Sequence, residues 1–124
     1  MPRSLLVNIA GLSGLIPIFF GVNCFFRPAH ALSFFALPYP TSAADRTVVD
    51  ALIVIYGARD IFMGLALFAA AAYNARKPLG WITVAVAAVA GVDGYACVLA
   101  KTGEQMAHWG YAPLLAVLGL ALLR

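Results

Sequence analysis

A chain of 124 residues that is 64% hydrophobic and only 10% charged is too apolar for an ordinary soluble domain, because such domains average about 45–50% apolar and about 25% charged residues. The formal net charge of +3 is spread over loops and ends without a basic stripe, which argues against nucleic acid as a partner. We therefore expect a single integral membrane domain over residues 1–124, with membrane lipid as its first partner.

Four apolar runs predict four transmembrane helices, at approximately residues 5–26, 48–73, 79–100 and 105–123. A spanning helix needs about 20 mostly apolar residues. The runs are too long for the tilted strands of a barrel and lack their regular alternation. The predicted fold is all-α, a four-transmembrane-helix antiparallel bundle with the N and C termini on the same side.

The first run has a second interpretation as a cleaved signal peptide. The basic start Met1–Arg3 and the small residues of Ala29-His30-Ala31 fit that pattern, but a signal peptide has an apolar core of about 7–15 residues. Here the run is longer and is interrupted by Asn8, Pro17 and Asn23. We favour an uncleaved helix and keep the signal peptide as the alternative.

The connection between the first two helices, residues 29–44, is here called the mouth segment. Prolines prevent a continuous helix there, and its aromatic side chains suit the interface between membrane and water. We expect a loop or short helix that lies across the mouth of the bundle, with a linker of no function as the alternative. Its prolines and aromatic residues are Phe34, Phe35, Pro38, Tyr39 and Pro40.

Charged residues stand inside the apolar runs. Arg59 and Asp60 lie in the middle of the second run, and Asp93 lies in the third. A charge at bilayer depth costs about 2.5–3.5 kcal/mol on insertion scales, so it is retained where it faces protein, is paired or serves a function. These three residues predict a polar interior.

The depths of these charges can be compared across the short turn at residues 74–78, which makes the second and third helices antiparallel neighbours. Counted from the turn centre between Arg76 and Lys77, Asp60 and Asp93 are equally far along their helices. At equal rise per residue they reach the same depth. Most polar side chains of the bundle then fall in the half nearer the mouth segment: Asn23, Asp50, Tyr56, Arg59, Asp60, Asp93, Glu104 and His108.

The expected partner of Arg59 is Asp93. Successive residues of a helix are displaced by about 100°, so we expect that Arg59 cannot simply neutralise Asp60 and needs an acceptor on another helix. A seam of small residues between helices two and three, including Gly91 and Gly94, lets such a bridge form. One carboxyl is then left without a full partner, which makes it a candidate proton donor. The alternative is a buried charge network that only fixes helix register.

Three stretches also resemble an uncharacterised family of small four-helix integral membrane proteins, found mainly in filamentous fungi. They are Tyr56-Gly57-Ala58-Arg59-Asp60, Asp93-Gly94 and His108-Trp109-Gly110-Tyr111-Ala112-Pro113. The resemblance covers roughly the last two thirds of the chain and implies a multi-pass membrane protein, without an established reaction. Some small fungal membrane proteins act in secondary metabolism as oxygenases, cyclases or isomerases, which is an analogy of size and setting alone.

The predicted site combines acid–base groups with residues that orient a ligand. We predict Asp60, Asp93 and Arg59 as catalytic residues. The predicted substrate-binding residues are Tyr56, His108, Asn23 and Trp109. Cys24 and Cys97 have no metal-binding or redox spacing, so neither a metal nor another cofactor is expected.

These features favour a protein that binds or transforms a lipophilic small molecule, such as a secondary-metabolite intermediate. If it is an enzyme, we expect a cofactor-independent isomerase or cyclase. A structural or accessory membrane subunit is the second hypothesis, and a proton-coupled carrier or channel subunit is the third.

A homo-oligomer and other membrane proteins are further candidate partners. We expect the endoplasmic reticulum or another endomembrane. The Lys and Arg count weakly favours cytoplasmic termini, with Arg3 on that side.

Overall fold

Helices account for about four fifths of the described chain in the computed structural model, which describes residues 4–124. Within that range there is no β-strand, and the all-α prediction is confirmed. Met1–Arg3, on which the signal-peptide alternative and part of the charge count depend, lie outside the described residues. The helices, in chain order, are α1 (Leu5–Ser13), α2 (Leu15–Phe26), α3 (Pro28–Ser33), α4 (Ala43–Ala72), α5 (Arg76–Leu99), α6 (Gln105–Trp109) and α7 (Ala112–Leu123).

Four helical spans are long and apolar enough to cross a membrane. Span one is Leu5–Phe26, span two Ala43–Ala72, span three Arg76–Leu99 and span four Gln105–Leu123. Large apolar side chains are exposed on the outer surface of every span, as expected for contact with lipid. The protein is therefore an integral membrane protein with a four-helix bundle.

Spans two and three begin earlier than the apolar runs that predicted them. Span two starts at Ala43 instead of residue 48 because the Ser42 hydroxyl accepts a hydrogen bond from the Asp45 backbone N–H, at 3.1 Å. Span three starts at Arg76 instead of residue 79, since Pro78 is tolerated in the first turn of a helix. An apolar run marks the membrane-facing part of a helix, and the helix itself can begin several residues before it.

Close backbone contacts join the spans in two pairs, one with two and three with four. A Cβ atom added to Gly21 would lie 2.5 Å from the Gly57 carbonyl oxygen, and one added to Gly57 would lie 2.7 Å from that of Gly21. Gly80 and Gly119 face each other in the same way, at 2.9 and 2.8 Å. Small residues of this kind allow transmembrane helices to approach closely. We call these two contacts the glycine seams.

The predicted glycine seam between helices two and three is wrong. The glycines of span two face span one instead, and a Cβ added to Gly94 would meet the indole ring of Trp109. Gly91 has open space around it, with no described atom within 4 Å of an added Cβ. Glycine positions in a sequence show that a close approach occurs, but they do not identify the partner helix.

The bundle differs between its two ends, which we call the terminal half and the mouth half. The terminal half contains the turn at residues 73–75 and the end of α7, where Arg76 Nη2 donates to the Ala121 carbonyl at 3.2 Å. It is filled by an aliphatic core from all four spans. The members of this core are Val7, Ala10, Leu67, Ala70, Ala71, Leu79, Val86 and Leu122.

The mouth segment closes the other end. Its first part is helical in α3, which begins at Pro28 directly after Arg27. The chain then turns at Ala36, which has a φ of +51°. Phe35 is buried, and so are Ala31 and Leu32 of α3. The expectation of a short helix across the mouth is confirmed, and the segment is part of the folded structure.

Candidate functional site

Arg59 holds two carboxylates from different spans. Its Nε and Nη2 donate to Asp60 Oδ1, at 3.0 and 2.9 Å. Its Nη1 and Nη2 donate to Asp93 Oδ1 and Oδ2, both at 3.0 Å. The guanidinium carbon also lies 4.1 Å from the centre of the Tyr56 ring, a cation–π distance. We call Arg59, Asp60 and Asp93 the charge triad.

The triad confirms one expectation about Arg59 and corrects another. The predicted bridge from Arg59 to Asp93 is present in a bidentate form. The expectation that Arg59 cannot neutralise Asp60 is wrong, because the guanidinium reaches around the helix to the neighbouring carboxylate. An angle of about 100° separates Cβ directions, but the long flexible arginine side chain spans that difference.

A cavity of about 370 Å³ lies in the mouth half, between the two pairs of spans. That volume is within the range of about 300–1,000 Å³ typical of small-molecule sites. Most of its surface is apolar, from aliphatic and phenylalanine side chains such as Ile16, Phe20, Met63, Val89 and Ala90. Its polar lining residues are Ser13, Tyr56, Asp60, Asp93, His108 and Tyr111.

The charge triad has a definite orientation relative to this cavity. Asp60 and Asp93 line it, whereas Arg59 is not among the lining residues. The side chains of the two aspartates are 5% and 10% exposed, and that of Arg59 is 34% exposed. The guanidinium therefore contacts the carboxylates from outside, and the cavity contacts the acidic side of the triad.

Phe34 and Phe35 of the mouth segment line the cavity and cover it at the mouth end. The Phe35 ring stacks on His108 with the ring centres 4.6 Å apart, and meets Tyr56 edge-on at 5.6 Å. His108 Nε2 lies 3.2 Å from the Phe34 carbonyl oxygen, so that nitrogen carries the proton and donates it to the carbonyl. The Cys97 thiol also donates a weak hydrogen bond to the Phe35 carbonyl, at 4.0 Å.

The cavity is open on its side, between spans one and four. For residues 4–124, no Cα atom of α2 lies within 8 Å of one in α5, α6 or α7, although α1 contacts both α5 and α7 in the terminal half. Ile16 on α2 and Leu114 on α7 line the cavity and are also 56% and 72% exposed. The two spans therefore diverge in the mouth half and leave an opening that faces the bilayer.

Comparison with protein families identifies a matching family. The family described as Domain of unknown function (DUF4267) matches residues 14–122. The chain belongs to the DUF4267 family. The match begins at residue 14, so it includes α2 and the mouth segment, where the motifs recognised in the sequence did not reach. No curated protein and no solved structure matches the chain.

The structure brings four of the seven predicted site residues of this DUF4267 protein to the cavity. These four are Tyr56, Asp60, Asp93 and His108. Tyr56 and Asp60 come one turn apart on α4, Asp93 comes from α5, and His108 is buried on α6. These four residues converge on the cavity, whereas Asn23, Asp50 and Glu104, which were grouped with them by depth, do not line it. The catalytic and binding roles assigned to the four remain predictions.

The other three predicted residues lie outside the lining of the cavity. Arg59 is behind the two carboxylates, as described above. Asn23 pairs through its side-chain oxygen with His30 Nδ1 at 3.1 Å. The Trp109 indole N–H donates to the Gly91 carbonyl at 3.0 Å and packs against α5. Trp109 thus joins span four to span three from the outside.

Several lining residues of the DUF4267 cavity were missed by the sequence reasoning. Tyr111 belongs to the same recognised motif as His108 and Trp109, but no role in the site was predicted for it. Phe34 and Phe35 were recognised as mouth aromatics without a partner. Cys24 and Phe20 gave no signal, because an apolar residue at a cavity resembles one in a packed core.

The lining residues offer acid–base groups and hydrogen-bond partners. Within residues 4–124, no three His, Cys, Asp or Glu side chains form a group that could hold a metal ion. The two carboxylates, the Tyr56 and Tyr111 hydroxyls and the His108 ring are the available polar groups. They can donate, accept or transfer protons next to an apolar ligand.

Proposed function

We propose that this protein binds a lipophilic small molecule in the mouth-half cavity. The observation that supports this most directly is the combination of an apolar chamber of about 370 Å³ with two carboxylates in its wall. A pocket of mainly apolar surface with few convergent polar groups is typical of small-molecule sites. The opening between spans one and four favours entry of the ligand from the bilayer.

The chemistry that fits this site best is acid–base catalysis, such as an isomerisation or cyclisation. In this proposal Asp60 or Asp93 transfers the proton, and Arg59 positions both carboxylates from outside the cavity. Tyr56 and His108 orient the polar part of the ligand. General acid–base catalysis contributes about 10²–10⁴-fold to a rate. A secondary-metabolite intermediate and an endomembrane location are the substrate and setting that we propose with it.

A packing role for the charge triad is the second candidate. Arg59 connects spans two and three through both carboxylates, and a buried ion pair can specify how helices align without adding to stability. This candidate accounts for the triad, but it assigns no purpose to the cavity beside it.

The binding proposal can be tested by identifying the lipophilic compounds that copurify with the protein. Ala90 lines the cavity and is buried, whereas Ala85 on the same helix is exposed to the outside. Ala90→Phe should fill part of the chamber, and Ala85→Phe is the matched control. Mass spectrometry of extracts should show a compound that is retained by the unmutated protein and Ala85→Phe, and is depleted in Ala90→Phe. Equal recovery from all three proteins would contradict the proposal.

The catalytic part needs a separate comparison of Asp93→Asn with Asp93→Leu. Asn keeps an oxygen acceptor for Arg59 but cannot act as an acid or base at the same position. We expect Asp93→Asn to keep the protein folded and to remove the product from the metabolite profile of the cells. If Asp93→Asn leaves every metabolite unchanged while Asp93→Leu only lowers the protein level, the packing role is correct instead.

A further inference from the structure

We infer that the ligand of the mouth-half cavity is a lipophilic amine, bound as a monocation with its ammonium group against Asp60 and Asp93. This inference rests on the proposed binding function and adds the chemical class of the ligand. It follows from the charge of the triad, the direction in which that charge faces and the rings that surround it.

The triad carries unequal charges. Arg59 supplies one positive charge and the two aspartates supply two negative charges, so one negative charge has no counterpart within the triad. Burying an unpaired carboxylate is costly, and proteins pair such a group or neutralise it. A single positive charge on a ligand completes the set.

The missing positive charge belongs on the cavity side. Arg59 donates to both carboxylates from outside the cavity, while Asp60 and Asp93 line it. A ligand in the chamber therefore meets carboxylate oxygens before it meets the guanidinium. This arrangement favours a hydrogen-bonding cation and disfavours a carboxylic or phosphoric acid, which would face like charge.

The other ionisable groups of the lining do not supply that charge. Tyr56, Tyr111 and Cys24 are neutral in their ordinary protonated forms. His108 uses its Nε2 proton for the Phe34 carbonyl, a bond that the neutral imidazole makes as well as the charged form does. No contact of these lining residues therefore requires one of them to carry a positive charge.

Aromatic rings line the same cavity as the two carboxylates. Aromatic faces attract ammonium groups, and several rings together form the cages that bind alkylated amines. The rings that line the cavity come from four parts of the chain, namely α2, the mouth segment, α4 and the region of α6 and Tyr111. They are Phe20, Phe34, Phe35, Tyr56, His108 and Tyr111. The remaining apolar surface suits an alkyl or ring portion.

The test is a competition experiment with the full chain in phosphatidylcholine vesicles. The protein is labelled with a neutral hydrocarbon that carries a photoreactive diazirine. Labelling is competed by dodecyldimethylamine, by the hydrocarbon with CH in place of its NH⁺, and by tetradecanoic acid. Each concentration is corrected for partition into protein-free vesicles. The amine should compete about tenfold or more better than its hydrocarbon counterpart, and the acid should compete least.

Charge-neutralising variants test whether the two aspartates cause the preference for the amine over the hydrocarbon. Asp60→Asn and Asp93→Asn should each bring the amine-to-hydrocarbon ratio close to one, because each removes the unmatched negative charge. Asp45→Asn is the matched control, since Asp45 is exposed at the start of α4 outside the cavity, and it should keep the full ratio. The comparison among the three competitors needs only the unmutated protein, so it remains decisive if a variant does not fold.

The outcomes separate this inference from the binding proposal. Equal competition by the amine and the hydrocarbon overturns the amine class and leaves a lipophile site, with the extra charge cancelled by a proton on a carboxyl. Stronger competition by the acid overturns the amine class in the same way. If none of the three compounds reduces labelling of the cavity residues, both the inference and the proposed function are wrong.

Discussion

The terminal and mouth halves of this bundle are built from the same four spans but are filled differently. In the terminal half, Leu67, Leu79 and Leu122 are at most 1% exposed and meet at the centre. In the mouth half, the centre is a cavity with the charge triad in its wall. Each half has glycine contacts within a pair of spans, so the difference lies in what separates the two pairs.

That difference shows how a small membrane protein can keep a chamber open. Lipid chains are as apolar as leucine, so no hydrophobic force closes a gap between transmembrane helices. The glycine seams hold each pair together through close backbone contact. In the mouth half the triad fixes spans two and three, and aromatic side chains occupy the rim. Spans one and four are then free to diverge.

The largest effect should come from removing the centre of the triad. Arg59→Leu leaves two buried carboxylates without their common partner, and loss of one member of a buried ion pair costs about 3–5 kcal/mol. Detergent-induced unfolding followed by circular dichroism measures the change. Arg27→Leu is the control, because Arg27 is exposed at the end of α2. Equal stability of the two variants would show that the triad does not hold the mouth half together.

A second pair of variants compares the two halves directly. Leu67→Ala creates a new void in the terminal core, where such truncations cost about 2–5 kcal/mol. Met63→Ala, one turn earlier on the same helix, enlarges an existing cavity. Met63 packs against the terminal core on one side and borders the cavity on the other, so its truncation should cost less than that of the fully enclosed Leu67. The same unfolding assay measures both, and equal losses would indicate that the mouth half is as tightly filled as the terminal half.

The glycine seam between spans one and two should be sensitive to a single methyl group. Gly21→Ala places its Cβ against the Gly57 carbonyl, and overpacking of this kind costs about 1–3 kcal/mol. Gly91→Ala is the matched control on α5, where the added Cβ has open space. It should be neutral or slightly stabilising, because alanine favours a helix interior over glycine. A neutral Gly21→Ala would contradict the close approach of the pair.

The smallest effect concerns the tether of the mouth segment. Tyr39 donates a hydrogen bond to Asp50 Oδ1 at 2.8 Å, and this bond raises the pKa of Tyr39 above its ordinary value. The raised pKa means that the bond stabilises the fold below the ordinary tyrosine pKa and that this contribution is lost as the pH rises through the raised one. Tyr39→Phe should therefore speed hydrogen exchange in the mouth segment at neutral pH. The difference from the unmutated protein should disappear at strongly alkaline pH.

Sequence reasoning predicted the centre of the site because depth in a membrane bundle follows from residue counting. The turn between spans two and three is short, and both helices rise regularly. Equal counts from the turn therefore placed Asp93 at the depth of Asp60 and within reach of Arg59. The four spans were also predictable, since a bilayer requires long apolar runs.

The remaining features depend on directions that counting does not give. The glycines of span two face span one, and the Arg59 side chain reaches around its own helix to Asp60. The opening beside α2 depends on how two spans diverge, which no residue pattern indicates. Trp109 carried a strong motif but points to the outer face of α5, so motif membership did not identify the lining.

Photolabelling of the unmutated protein in vesicles tests the central claim most directly. A neutral diazirine-bearing hydrocarbon should label residues inside the mouth half, including Phe34, Tyr56 and Ala90, as well as the outer surface that faces lipid. It should not label Leu67, Leu79 or Leu122 in the sealed terminal core. Label on the outer surface alone, or equal label in both interiors, would contradict an open mouth half above a closed terminal half.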